Sequence, residues 1–165
     1  MNPRHATSND IPALVSLINS AYRVEDFFIN GDRTNAEDVA SRIAAPHACF
    51  LVVDGAADEL VGAVYVDVAG SRGHFALLSV DPFLQRRGVG RALIVAAEDH
   101  CRAAGCQTLD LEVVNLRSDL PDYYTALGFE AVGTAPFPDS RKLSRDAHLV
   151  LMTKALASAS RDPSS

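Results

Sequence analysis

Between Cys49 and Val80 the chain carries three apolar stretches, Cys49–Val53, Leu60–Val68 and Gly73–Val80, with only short segments between them. Asp54-Gly55 through Glu59 and Gly70-Ser71-Arg72-Gly73 supply the small and polar residues that tight turns favour. A parallel crossover needs about a dozen residues or more, so links this short predict three antiparallel strands in a meander. Everything else in the chain has to pack around that sheet.

Upstream, Ile11, Leu14, Val15, Ile18, Ala21 and Tyr22 recur at helical spacing, and Ser8-Asn9-Asp10 offer capping side chains ahead of Pro12. A second, shorter helix is predicted to begin at Thr34, which has capping-box spacing to Glu37, with Ala36, Val39, Ala40 and Ile43 as its apolar stripe. Arg23 to Arg33 is the loop between them. Past Asp81-Pro82 a helix is expected from about Val89 to Ala104, closed by Gly105, followed by a strand over Thr108–Val114. A further helix, Asp119 to Ala126, has Pro121 in its first turn and Gly128 at its end. Strands at Phe129–Gly133 and His148–Lys154 complete a mixed sheet covered by helices, an α/β or α+β domain. Residues 1–156 are expected to form one domain, and the Ala- and Ser-rich residues 157–165 a flexible tail.

The 165 residues carry a net charge of −6, which disfavours a nucleic-acid backbone or an anionic membrane surface as partner, since both call for a basic face. The first residues lack the apolar stretch of a signal peptide, and no run approaches the roughly 20 apolar residues that span a bilayer. A cytoplasmic location is the expectation. Cys101 and Cys106 are too far apart for a C-x-x-C pair, so they and Cys49 are read as free thiols, and no metal site is expected.

Against this acidic background the sign reverses at Gln85-Arg86-Arg87-Gly88-Val89-Gly90-Arg91, where a loop opens a helix. The first backbone N–H groups of a helix have no intrahelical partner and point together at an anion, and the two glycines let a ligand approach the backbone. Arg86, Arg87 and Arg91 add positive charge. A nucleotide P-loop is excluded because no Gly-Lys-Ser/Thr occurs. A dinucleotide fingerprint fails as well: Leu93 stands where its third glycine belongs, and the preceding strand ends near Val80.

In Gln85-x-x-Gly88-x-Gly90 the chain resembles the GNAT superfamily of acetyl-CoA-dependent N-acetyltransferases, whose cofactor motif is Gln/Arg-x-x-Gly-x-Gly/Ala. Leu78-Ser79-Val80-Asp81-Pro82 is similar to that family's fourth strand, and Tyr124-Thr125-Ala126-Leu127-Gly128-Phe129 to its Tyr-x-x-Leu-Gly-Phe ending. The resemblance spans roughly Ser8 to Leu156. It implies a mostly antiparallel sheet of about six to seven strands with about four helices.

It further implies that acetyl-CoA is the donor, with its pyrophosphate on Gln85, Arg86, Arg87, Gly88, Val89, Gly90 and Arg91. Its pantetheine arm would pair with the backbone of Leu78, Ser79 and Val80, and Asn115 would add a contact. Tyr124 is then the expected proton donor to the departing thiolate, with Tyr123 its competitor, and Glu112 the expected base. A base is needed because an alkylammonium near pKa 10.4 has no lone pair with which to attack. The implied acceptor is a primary amine of a small molecule, an amino-acid-like metabolite or a peptide. It would enter between Arg23–Arg33 and Thr134–Arg145, where Glu25, Asp26, Phe27 and Phe28 suit a cation. His74 reads as a surface residue. Relatives often form homodimers, and a non-catalytic acyl-CoA-binding module on the same scaffold is the alternative function.

Overall fold

The computed structural model describes residues 1–157, so the expected tail lies outside the described residues from 158 onward. The meander forms as the short links require: β2 (Ala48–Asp54), β3 (Leu60–Ala69) and β4 (Arg72–Val80) pair antiparallel in that order. A two-residue strand, β1 (Arg4–His5), adds to the outer edge of β2. It is too short to show any periodicity in sequence.

Helix α3 (Val89–Ala103) carries the chain back so that β5 (Thr108–Val114) runs parallel to β4. The last two strands exchange places relative to the chain. β7 (His148–Ala155) inserts beside β5, and β6 (Glu130–Pro136) lies outside it, giving the order β1-β2-β3-β4-β5-β7-β6. As an edge strand, β6 runs on to Pro136 rather than ending at Gly133, because a proline there need not serve a second neighbour.

Helices α1 (Ile11–Ala21) and α2 (Ala36–Ala44) cover one face of the sheet, while α3 and α4 (Leu120–Ala126) cover the other. Strand alternation divides the core accordingly. Phe50 and Val52 meet Leu14, Ile18 and Val39, whereas Leu51 and Val53 share a cluster with Leu93, Ile94 and Ala97. The start of α2 differs by one residue from the expected cap. Asn35 is the N-cap, its side chain accepting from Asp38 N at 2.8 Å. Thr34 is buried instead: Asn19 Oδ1 accepts from its backbone N–H, and its hydroxyl donates to Asp38 at 2.6 Å. Among the described residues no helix is long and apolar enough to cross a membrane.

At Gly73 the sheet lies close against α3: a Cβ there would lie 2.3 Å from Cys101 Sγ. Gly73→Ala is therefore expected to destabilise the fold by about 1–3 kcal/mol through overpacking. Cys101→Ala should recover part of that loss in the double variant. Urea unfolding of the four proteins checks this, and strictly additive losses would mean that the contact is not the cause.

Candidate active site

Strands β4 and β5 are neighbours for only three residue pairs, Arg72–His74 against Thr108–Asp110. Beyond them the strands separate, and the β5-facing backbone edge of Phe75–Val80 has no ladder partner. A bulge in β4 accompanies the parting. Ala63 faces Ser79 while Tyr65 faces Ala76, so Leu77 and Leu78 together oppose Val64. Leu77 takes a φ of 56°, a left-handed conformation that costs a leucine about 1–2 kcal/mol. Its side chain is held in the core beside Ala63, Leu14 and Leu17.

The bulge turns Leu78 and Val80 toward the α3 side, and both line the cleft opened by the splay. Ser79 points to the other face, 1% exposed, its hydroxyl donating to Leu77 O at 2.9 Å. Only its backbone is available to a ligand in the gap.

At the end of this gap the expected loop enters α3. Arg86 and Gly88 both have positive φ, 66° and 86°, and Gly88 is the N-cap of the helix. Two left-handed residues so close together turn successive N–H groups toward one side, an arrangement suited to an anion. Gln85, Arg86, Gly88, Gly90 and Arg91 line the cleft. Val89 is buried in the core and contributes backbone only, and Arg87 is exposed beside the loop. A Cβ on Gly88 would meet no protein atom within 4 Å, so the space over this backbone is open. The charge, the free amides and the open space fit a pyrophosphate.

The cleft holds about 850 Å³ and runs from this loop past Leu111, Glu112 and Val113 to Tyr22, Arg23 and Glu25. Tyr124 lies on its wall, 5% exposed, its ring tilted against Phe75 and packed edgewise on Phe129. Burial pushes its hydroxyl above the ordinary tyrosine value, so it keeps its proton at neutral pH. Tyr123, the competing tyrosine, is 41% exposed and stands beside Gly90.

Asn115 sits just past β5. Its Oδ1 accepts from His148 N at 2.8 Å, its own N–H donates to His148 O at 2.9 Å, and it does not line the cleft. It ties the end of β5 to the start of β7.

Glu112 reaches the cleft as expected but is not alone. His74 bridges it to Asp67: one ring nitrogen is bonded to Glu112 and the other lies 3.0 Å from Asp67. The expectation of a surface histidine is corrected, since both nitrogens are engaged and the side chain is only 33% exposed. The hydrogen bond to Glu112 pushes the imidazole up to about 9, Asp67 contributing and burial opposing. Asp67, His74 and Glu112 come from three adjacent strands, and no local signal in sequence brings them together.

With the folded value above the unfolded one near 6.5, the stabilisation is fully present below about pH 6.5 and is lost as pH rises through about 9. His74→Gln is expected to cost about 1–2 kcal/mol near pH 6, discounted for the exposed third of the side chain. The gap between the variant and the unaltered chain should close toward pH 10. Urea unfolding across this range is the check, and a pH-independent gap would remove the charged pair from the account.

At the acceptor end the expected cation receptor is corrected. Glu25 is buried and already paired, Arg117 donating to it at 3.0 Å and Arg33 at 3.4 Å. Phe28 is fully buried in a core cluster with Ile29 and Val114, and Arg145 stacks over the half-exposed Phe27. This network joins the loop before α2 to the segment after β5. Arg33 and Arg117, eight and 92 residues from Glu25, carry no local sequence signal of this pairing.

Residues 12–129 match the model of the Acetyltransferase (GNAT) family. The chain belongs to the GNAT acetyltransferase family. It is 31% identical over 137 residues, 79% of its length, to a mycothiol acetyltransferase of Propionibacterium freudenreichii subsp. shermanii. It spans 43% of that relative's length. The ribosomal-protein-S18-alanine N-acetyltransferase of Escherichia coli superposes with a TM-score of 0.77 at 19% identity, covering 98% of this chain and 97% of that one. The ribosomal-protein-alanine N-acetyltransferase of Brucella melitensis gives 0.76 at 22% identity, covering 94% and 100%. These likenesses show the same fold, a seven-stranded, mostly antiparallel open sheet with four helices. Acetyltransferases of this family use acetyl-CoA as donor.

Proposed function

We propose that this chain transfers an acetyl group directly from acetyl-CoA to a primary amine. The acceptor is a small molecule, an amino-acid-like metabolite or a peptide. The observation that carries the reading is a single cleft joining the Gln85–Arg91 loop, the free edge of β4, Glu112 and Tyr124. The relatives named for mycothiol and for ribosomal-protein alanine support an acceptor of the small-molecule or peptide class.

When bound, acetyl-CoA supplies the reactive thioester. The amides from Arg86 to Arg91 hold its pyrophosphate at the start of α3, with the arginine side chains adding charge. The unpaired backbone of Leu78, Ser79 and Val80 bonds the pantetheine arm as another strand would, which keeps the acetyl end in the gap between β4 and β5.

Glu112, coupled to His74, accepts the proton that the amine gives up. The amine nitrogen would then bond to the acetyl carbon as the carbon–sulfur bond breaks, Tyr124 would pass its hydroxyl proton to the departing sulfur, and the second proton released by the nitrogen would return through solvent to restore the Tyr124 hydroxyl. Leu111, Val113 and Leu78 give the reacting end an apolar lining that limits competing water.

Calorimetric titration with acetyl-CoA, using NADH and ATP as comparison ligands, tests the donor. Selective saturable binding of acetyl-CoA is expected, and its absence would overturn the reading. Release of CoA should then depend on an added amine. Binding without turnover across small amines, amino acids and peptide N-termini would favour a non-catalytic acyl-CoA module.

A further inference from the structure

At the other end of α3 three potential ligands converge that acetyl transfer does not use. His5 from β1, Cys49 from β2 and His100 from the last turns of α3 each offer a donor atom, all within 4.8 Å of one another. Cys49 Sγ and His100 Nε2 are 3.9 Å apart. The rings of His5 and His100 are tilted at 56° with centroids 5.8 Å apart, so they converge at an angle without stacking. Among the described residues neither imidazole has another side-chain hydrogen bond or ion pair. His100 lies twelve residues from Gly88, about 18 Å along the helix axis, so the cluster is remote from the cleft.

We propose that His5, Cys49 and His100 form a zinc site. A tetrahedral ion with Zn–S near 2.3 Å and Zn–N near 2.05 Å sets its sulfur and nitrogen ligands about 3.6 Å apart and its two nitrogens about 3.3 Å apart. The observed 3.9 Å between Cys49 and His100 is within a few tenths of an ångström of that, and a side-chain rotation of His5 closes the rest. One thiolate and two imidazoles form a borderline donor set that suits zinc and disfavours magnesium or calcium, which take oxygen ligands. Three protein ligands leave a fourth position to water.

The site has a structural consequence, because its ligands come from three separate elements. β1 holds only two residue pairs, Arg4 with Val52 and His5 with Leu51, and is the shortest strand of the sheet. Zinc bound here pins β1 to α3 across β2, and binding to the folded state alone raises stability.

Titration of the untagged full chain with Zn²⁺ alone, and with Co²⁺ as its spectroscopic stand-in, tests the proposal. The expected result is one equivalent bound, a rise in thermal midpoint, and the intense visible and thiolate charge-transfer bands of tetrahedral cobalt. Cys49→Ser should abolish the charge-transfer band. His5→Ala, an exposed change that leaves the core intact, should weaken Zn²⁺ binding at least about 100-fold, since loss of a mere supporting contact costs 10–100-fold. No Zn²⁺ binding at micromolar concentrations would overturn the proposal. So would unaltered affinity in His5→Ala, or a cobalt spectrum without the thiolate band.

Discussion

Tyr124→Phe is expected to cut turnover by about 100-fold or more while leaving acetyl-CoA affinity unchanged. The ring packs on Phe75 and Phe129 at centroid distances of 5.9 and 5.8 Å, and phenylalanine keeps both contacts. Among the described residues the hydroxyl has no hydrogen-bond partner in the protein, so its removal orphans nothing. What disappears is the O–H that the proposed mechanism sets against the departing sulfur. Burial keeps that group protonated throughout the neutral range. The proposed donor loop before α3 is untouched by this change, so titration calorimetry should return the same value for both proteins. Tyr123→Phe is the internal comparison: its ring is partly exposed beside Gly90 and keeps its packing as phenylalanine, and turnover should survive. If Tyr124→Phe turns over like the unaltered chain, Tyr124 has no part in protonating the thiolate.

Gly88→Val should weaken acetyl-CoA binding by about 10–100-fold. At φ 86° a β-branched residue is strained by about 1–2 kcal/mol, and relief of that strain swings the N–H groups away from their common focus. The added side chain also enters the open space over the loop, where the pyrophosphate would rest. Gly90→Val acts differently: its Cβ would sit 3.4 Å from the Tyr123 hydroxyl and 3.7 Å from Val80, ordinary contacts that narrow the cleft without straining the backbone. A smaller loss of affinity is expected there. Circular dichroism should show α3 intact in both variants. Affinities equal to that of the unaltered protein would remove the loop from the donor site.

Much of the proposed site is legible in sequence because its signals are local. Gln85 to Arg91 combines glycine spacing, positive charge and a helix start within seven residues, and Tyr124 stands at a fixed distance from Gly128. The strand limits read from alternation agree with the structure to within a residue over β3, β4 and β5. The misses involve partners distant in the chain. Glu112 was read without His74, 38 residues away, and Glu25 without Arg117, 92 residues away. Asn115 Oδ1 accepts from His148 N across the sheet, a pairing that its motif position does not announce. Burial and pairing at these positions depend on strand neighbours that periodicity does not name.

The sequence by itself determined the elements, the antiparallel meander and the basic, glycine-containing loop that opens α3. Each follows from steric and hydrogen-bonding preferences that act over a few residues, and short links leave one way to connect neighbouring strands. Only the tertiary structure decided that β7 inserts between β5 and β6, that β4 bulges at Leu77 and parts from β5, and which charges meet across the sheet. Those outcomes depend on long-range strand pairing and on the fit of helices against both faces, where the competing arrangements have the same local propensities and differ only in how well the whole core packs.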